Sequence, residues 1–213
     1  MAYREWRRRD IYRRLAKEEG KPSRSYYKLR EVLDQYRFIP RGGFVIDLGC
    51  YPGGWLLAAA EEVGEAGCVV GVDLRETTPP APNVRTIVGD VREHRVKREL
   101  QWLARGRADA VLSDLSPKLS GNWEVDAERT LELAFEALDI AKRCLRRGGA
   151  FFVKVFEYPR LAEFERELQR QFVRVIRLIP KATRKGSREL FILALGFRGR
   201  RAKRRLLQRA RLS

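Results

Sequence analysis

Three acids and one lysine stand where a chain of alternating strands and helices can do chemistry. Lys154 interrupts the otherwise apolar run Ala150–Phe156, and Asp114 directly follows the run Asp109–Ser113. Both fall at the ends of predicted strands, where side chains converge on the ligand crevice of an open α/β sheet. A lysine and a carboxylate so placed can orient a hydroxyl oxygen and hold or accept its proton. A lysine snorkelling to the sheet edge is the alternative, and the residue types alone leave it open.

The run Asp47–Trp55 carries Gly49, Gly53 and Gly54 between a predicted strand and a predicted helix. Glycine lets backbone approach a ligand closely just before a helix begins, which an adenosine-binding turn requires. Asp73 ends the next strand, at the separation where an acid meets the two hydroxyls of a ribose. Asp90 ends the third, placed to accept from an adenine amino group. The turn lacks Gly-x-Gly-x-x-Gly, has Pro52 where flexibility is expected, and is followed by no phosphate-neutralising cluster. That argues against a nicotinamide-dependent oxidoreductase and for a cofactor without a pyrophosphate, such as S-adenosylmethionine.

These residues need a scaffold, and the apolar pattern supplies one. Strands are predicted at Phe44–Leu48, Cys68–Asp73, Val84–Val88, Asp109–Ser113 and Ala150–Phe156, with two more near Val173–Ile179 and Leu190–Gly196. Helices are predicted from Ser23 to Tyr36, over Gly54–Val63, around Glu93–Ala104, from about Val125 to Leu145, and over Leu161–Gln171. The early strands lack period-two alternation, as expected when both faces lie beneath helices. The expected fold is a doubly wound, mostly parallel α/β sheet of Rossmann-like type, with an antiparallel strand at its edge.

With 213 residues the chain suits a single domain. We divide it into a basic N-terminal arm (1–22), a domain (23–197) and a basic C-terminal tail (198–213). Its 45 Lys and Arg against 28 Asp and Glu give a net charge of +17, which points to a polyanionic partner. Much of the excess lies in the arms, where Tyr3, Trp6 and Tyr12 add side chains that can stack on bases. Three scattered cysteines (Cys50, Cys68, Cys144) and a single histidine, His94, suggest neither a zinc site nor a disulfide framework. No membrane span or secretory signal is expected, so the expected location is the cytoplasm.

Six motifs, in order, carry a further reading: Ser25-Tyr-Tyr-Lys-Leu, the Asp47–Trp55 run, Gly71-Val-Asp-Leu, Ser113-Asp-Leu-Ser-Pro-Lys-Leu-Ser-Gly-Asn, Gly148-Gly-Ala-Phe-Phe-Val-Lys-Val-Phe and Ser187-Arg-Glu-Leu. Together they resemble the FtsJ/RrmJ family of RNA ribose 2′-O-methyltransferases over Ser23 to Phe197. The resemblance implies a catalytic tetrad of Lys28, Asp114, Lys154 and Glu189. It also implies S-adenosylmethionine as cofactor, with Gly49, Gly53, Gly54, Trp55, Asp73, Leu74, Asp90 and Asp114 lining its site. The implied substrate is a uridine of large-subunit ribosomal RNA, taken by a monomer without metal or membrane. With only the basic tail after the last strand, RNA capture is expected to fall to the core and its arms.

Two roles for Lys154 stay open. As a general base it needs its ordinary pKa of about 10.4 depressed by desolvation, by Lys28 and by the cofactor's positive sulfur. As a charged group it orients the hydroxyl while solvent takes the proton late. Two other functions compete: methylation of transfer RNA, and a non-catalytic RNA-binding or ribosome-assembly protein on the same fold.

Overall fold

The structure is a computed structural model that describes residues 11–184 and 186–199. The stacking aromatics Tyr3 and Trp6, the arginines at positions 4–9 and the basic tail from 200 onward lie outside the described residues.

Seven strands form one sheet in the order β3-β2-β1-β4-β5-β7-β6. These are β1 (Phe44–Leu48), β2 (Cys68–Asp73), β3 (Val84–Val88), β4 (Ala108–Ser113), β5 (Leu145–Phe156), β6 (Phe172–Leu178) and β7 (Glu189–Phe197). The first five run parallel, while β7 is antiparallel to both β5 and β6. The chain winds outward from β1 to β3, then returns to place β4 on the other side of β1. That reversal makes the β1/β4 boundary the switch point at which open sheets of this kind hold ligands.

Among the described residues six helices accompany the sheet: α1 (Ile11–Glu18), α2 (Ser25–Tyr36), α3 (Gly54–Val63), α4 (His94–Ala104), α5 (Trp123–Cys144) and α6 (Leu161–Gln171). Residues alternate between two cores. Phe151, Val153 and Val155 face Phe164, Leu168 and Phe172, the side of α5 and α6. Phe152 faces Trp55, Leu29 and Phe191, the side of α2 and α3. Lys154 follows Phe152 by two residues, so it emerges on this second face.

Three of the boundaries that differ from the sequence reading have a visible cause. Residues 11–18 of the expected arm form α1, which docks on α2 through Tyr12 and Tyr27, their rings 5.6 Å apart. Helix α5 begins at Trp123 because the Asn122 side chain caps it, accepting from the backbone N–H groups of Glu124 (3.0 Å) and Val125 (3.3 Å). Strand β5 begins at Leu145 rather than Ala150, since Leu145 pairs with Ala108 before the ladder shifts register. Arg146 is held there by Asp109 at 2.6 Å, so Gly148 and Gly149 bend the strand without ending it.

Candidate active site

Lys154 is 5% exposed, and its ammonium meets three oxygens. It donates to the Ser116 hydroxyl at 2.6 Å and the Asp114 carbonyl at 3.1 Å, and lies 2.9 Å from Asp114 Oδ1. The last contact is an ion pair without hydrogen-bond directionality, and Oδ1 is buried with no directed donor. Asp114 is itself fixed by its backbone N–H, which donates to the Leu48 carbonyl at 3.0 Å and continues the β1/β4 ladder. Ser116 lies in the quoted motif, but no role is assigned to it from sequence. A hydroxyl two residues beyond a strand-end acid was the available signal.

Lys28 comes from α2, 161 residues before its partner, and its Nζ donates to Glu189 Oε2 at 3.0 Å. It is buried with the ammonium 5.0 Å from the Phe191 ring centroid. Burial alone would raise the Glu189 carboxyl. The charge of Lys28, then that of Lys154, together with the Lys28 hydrogen bond and Arg24, outweigh burial and hold it below the usual carboxylate range. Lys28, Asp114, Lys154 and Glu189 therefore form two ion pairs on one face of the sheet, coupled through Glu189.

Trp55, Phe152 and Phe191 build the floor beneath them. Phe152 stacks on Trp55 at 5.1 Å and on Phe191 at 5.5 Å. Each such pair adds about 0.5–1.5 kcal/mol beyond its buried area. Trp55 is 2% exposed and donates its indole N–H to the Ser25 carbonyl at 2.9 Å, which ties α3 to the start of α2. Its place is thus in the wall of the site, under the aromatic stack.

The glycine turn has two separate reasons for its composition. Gly49 adopts φ +80°, and a Cβ there would lie 2.9 Å from Leu115 N and 3.1 Å from the Asp114 carbonyl carbon. Its absence lets the ends of β1 and β4 close on each other and seats Asp114. A Cβ on Gly54 would lie 2.4 Å from both the Ser23 and Ser25 hydroxyls. Gly54 therefore permits close packing of α2 against α3, and Gly53, at φ +108°, leads into α3 as its N-cap.

Asp73 holds this turn from below. Oδ2 accepts from the Tyr51 N–H at 3.1 Å and Oδ1 from the Arg75 N–H at 3.0 Å. The Arg75 guanidinium covers the Tyr51 ring at 3.6 Å, and Leu74 is 68% exposed beside it. Asp90 is gripped by Arg92 through both carboxylate oxygens, at 2.6 to 3.1 Å, and this hydrogen bonding holds it below the usual range. Arg92, 65% exposed along its side chain, must share Asp90 with any adenine amino group placed there.

Asp47 is the acid that sequence reading passed over inside its own motif. It is fully buried, and neither carboxylate oxygen has a hydrogen-bond partner. Burial first, then the charges of Asp114 and Asp73, push it well above the usual carboxylate range. Asp47, Asp73 and Asp114 thus gather three carboxyl groups around a turn whose glycines admit close approach. S-adenosylmethionine brings a positive sulfonium, an ammonium and a ribose diol, and these residues fit it on all three counts. Cys50, by contrast, is a buried thiol pushed up to about 12, chiefly by burial, and is a core residue.

Among the described residues no group of three or more His, Cys, Asp or Glu is arranged to hold a metal ion. Among them, too, no helix is long and apolar enough to cross a membrane. Beyond Glu189, Arg188 lies over the Trp123 ring at 4.5 Å, and Trp123 packs on Phe156 at 5.0 Å. This aromatic and guanidinium edge was not singled out from sequence.

Comparison with known proteins agrees with the geometry. Residues 22–197 match the FtsJ-like methyltransferase family. The chain is 44% identical over 185 residues to ribosomal RNA large subunit methyltransferase E of Methanothrix thermoacetophila, covering 87% of this chain and 71% of that one. It is 41% identical over 195 residues to the protein of that name from Methanothermobacter thermautotrophicus, covering 91% and 92%. A Plasmodium falciparum crystal structure described as that of a ribosomal RNA methyltransferase superposes with TM-score 0.73 at 26% identity, covering 84% of this chain and all of the other. A Thermotoga maritima S-adenosylmethionine-dependent O-methyltransferase shares the fold, with TM-score 0.53 and 17% identity over 83% of this chain and 66% of that one.

Proposed function

The chain belongs to the FtsJ-like methyltransferase family, and on that premise we propose that it methylates the ribose 2′-hydroxyl of a uridine in large-subunit ribosomal RNA. The observation that carries this reading is the pair of ion pairs, Lys154 with Asp114 and Lys28 with Glu189, on the sheet face beside the glycine turn. The names of the relatives support the ribosomal substrate. All four side chains come from one chain, which supports action as a monomer. We assign it to the cytoplasm.

S-adenosylmethionine supplies a methyl group on a positively charged sulfur. Gly49, Gly53 and Gly54 admit it against the backbone, with Trp55 behind them. Asp73 receives the ribose diol, Leu74 and Asp90 the adenine, and Asp47 with Asp114 the cationic end. What remains for the protein is to place the 2′-oxygen and dispose of its proton, and catalysis of this kind is mainly positioning.

Lys154 does the placing. Two of its N–H donors go to the Asp114 carbonyl and Ser116 Oγ, with the Asp114 carboxylate 2.9 Å away, surroundings that suit an ammonium and leave its third N–H uncommitted. We therefore favour Lys154 as a charged group that gives one donor to the 2′-oxygen, with the hydroxyl proton leaving late to solvent. Lys28 and Glu189 hold the ribose from the side of α2.

The test is transfer of labelled methyl from S-adenosylmethionine to purified large ribosomal subunits, to their naked RNA and to transfer RNA, followed by nuclease digestion. The expected product is 2′-O-methyluridine in the ribosomal samples. Label in transfer RNA alone moves the substrate, and RNA binding without any transfer removes the enzymatic reading.

A further inference from the structure

Arg188, Trp123 and Phe156 form a stack beside the ion pair assigned to the ribose. The Arg188 guanidinium lies over the Trp123 ring, 4.5 Å from its centroid, and Trp123 packs on Phe156 with ring centroids 5.0 Å apart. Arg188 is exposed, and among the described residues its side chain makes no hydrogen bond or ion pair. We propose that this stack is the platform on which the base of the target nucleotide is laid. The inference rests on the reading of the protein as an RNA 2′-O-methyltransferase, and it adds to that reading the residues that position the substrate's base.

The platform is built from two fixed supports. Phe156 pairs with Glu189 in the β5/β7 ladder, and the Glu157 N–H donates to the Arg188 carbonyl at 3.1 Å, so Arg188 is tied to the end of β5. Trp123 opens α5 and is held from both sides. Asn122 caps the helix, and the buried Asp126 accepts from the Ser120 N–H at 2.7 Å, the Ser120 hydroxyl at 2.8 Å and the Gly121 N–H at 3.2 Å. A guanidinium attracted to the face of a held tryptophan is itself held, and its planar head is offered to a partner in one place.

Position selects the base. The sheet order β1-β4-β5-β7 puts the cofactor turn on one side of Lys154 and the start of β7 on the other. Phe156 follows Lys154 by two residues, roughly 7 Å along the strand, and Arg188 immediately precedes Glu189. In a nucleotide the 2′-oxygen and the base are carried by adjacent carbons, C2′ and C1′. With the 2′-oxygen at Lys154 turned to the donor methyl and the ribose held by Lys28 and Glu189, the base leaves on the side away from the cofactor, where the stack stands. Unpaired bases are taken up by stacking on aromatic rings and guanidinium planes, whatever their identity. The platform therefore orders the target base without choosing uracil.

The test separates stacking from charge. Arg188→Lys keeps the charge and loses the plane, and Trp123→Leu removes the ring beneath it. Binding to a hexauridylate RNA, and to a hexamer of the same ribose phosphates with hydrogen in place of every base, is measured by fluorescence anisotropy in the presence of S-adenosylhomocysteine. Each variant is expected to bind the hexauridylate about tenfold more weakly than the parent, a loss in the range of one base stack, and the base-free hexamer equally well. Arg188→Lys should keep the parent's melting temperature and S-adenosylmethionine affinity, and it decides the matter by itself if Trp123→Leu does not fold. In methyl transfer, Arg188→Lys should lower kcat/KM about tenfold for RNA with uridine at the target position and leave unchanged the value for RNA that lacks the base at that position alone. Binding of the hexauridylate at the parent's level by Arg188→Lys, or an equal loss on both hexamers, overturns the proposal. So does a transfer loss that is the same with and without the target base. Selective loss of hexauridylate binding in a protein that transfers no methyl supports the platform and counts against the enzymatic reading alone.

Discussion

Lys154 and Glu189 leave neighbouring antiparallel strands on the same face, two residues out of step: β5 sets Lys154 opposite Phe191 and Phe156 opposite Glu189. Diagonal neighbours in such a ladder lie within reach of long side chains. Helix α2 then delivers Lys28 to the other side of Glu189. One carboxylate is thereby set between two ammonium groups, which is why its charged form is favoured in spite of burial.

That arrangement predicts unequal effects of removing either partner of the Lys28–Glu189 pair. Lys28 is 5% exposed along its side chain and Glu189 22%. Glu189→Ala strands the more buried charge, whereas Lys28→Ala leaves Glu189 near Lys154 and partly hydrated. Glu189→Ala should cost on the order of 2–3 kcal/mol and Lys28→Ala about 1–2 kcal/mol, by urea denaturation at pH 7. Because the folded-state Glu189 value is lowered, this stability is present above the unfolded value of about 4.3 and is lost as pH falls through the folded one. The Glu189→Ala deficit should therefore shrink in acid, and a deficit that grows there would refute the assignment of charge.

Asp47 predicts the opposite pH dependence. Its folded value is raised, so its cost is small below the unfolded value of about 3.9 and grows as pH rises above that value. Asp47→Asn should raise the melting temperature of the cofactor-free protein at pH 7.5, with little gain at pH 4. The same change should weaken S-adenosylmethionine binding in calorimetry. A variant less stable than the parent at pH 7.5 would show that Asp47 has a partner that stabilises its charge.

Asp73 and Ser116 should separate binding from chemistry. Asp73 braces the cofactor turn, so Asp73→Ala is expected to raise the dissociation constant for S-adenosylmethionine tenfold or more, the loss of hydrogen bonds to a charged group being about 1.5–3 kcal/mol. Ser116 touches only Lys154 among the proposed catalytic side chains. Ser116→Ala should lower kcat about tenfold at unchanged cofactor affinity, corresponding to roughly 1.4 kcal/mol in the barrier. Loss of cofactor binding in Ser116→Ala would mean that the loop after β4 belongs to the cofactor site instead.

Much of the scaffold is legible in sequence because buried parallel strands are written as short apolar runs. The bounds of β1, β2 and β3 coincide with the reading, and the antiparallel closing strands were anticipated. Errors arose where side chains from elsewhere decide a boundary: Asn122 starting α5, Ala108 and Asp109 drawing β5 back to Leu145, and Tyr27 docking α1. The site divides in the same way. Lys154 stands out because a charge in an apolar strand is costly. Lys28 and Glu189, 161 residues apart on a helix and a strand end, are ordinary in isolation and were named only through the resemblance. Asp47 and Ser116 gain their meaning from burial and distance, neither of which is printed in the chain.

The most direct measurement compares the parent with Lys154→Ala for methyl transfer to large-subunit RNA, with S-adenosylmethionine binding followed by calorimetry on the same samples. The account predicts transfer lowered at least a thousandfold, a barrier increase of about 4 kcal/mol, with cofactor affinity within about twofold of the parent. Transfer by Lys154→Ala at the parent's rate would contradict it.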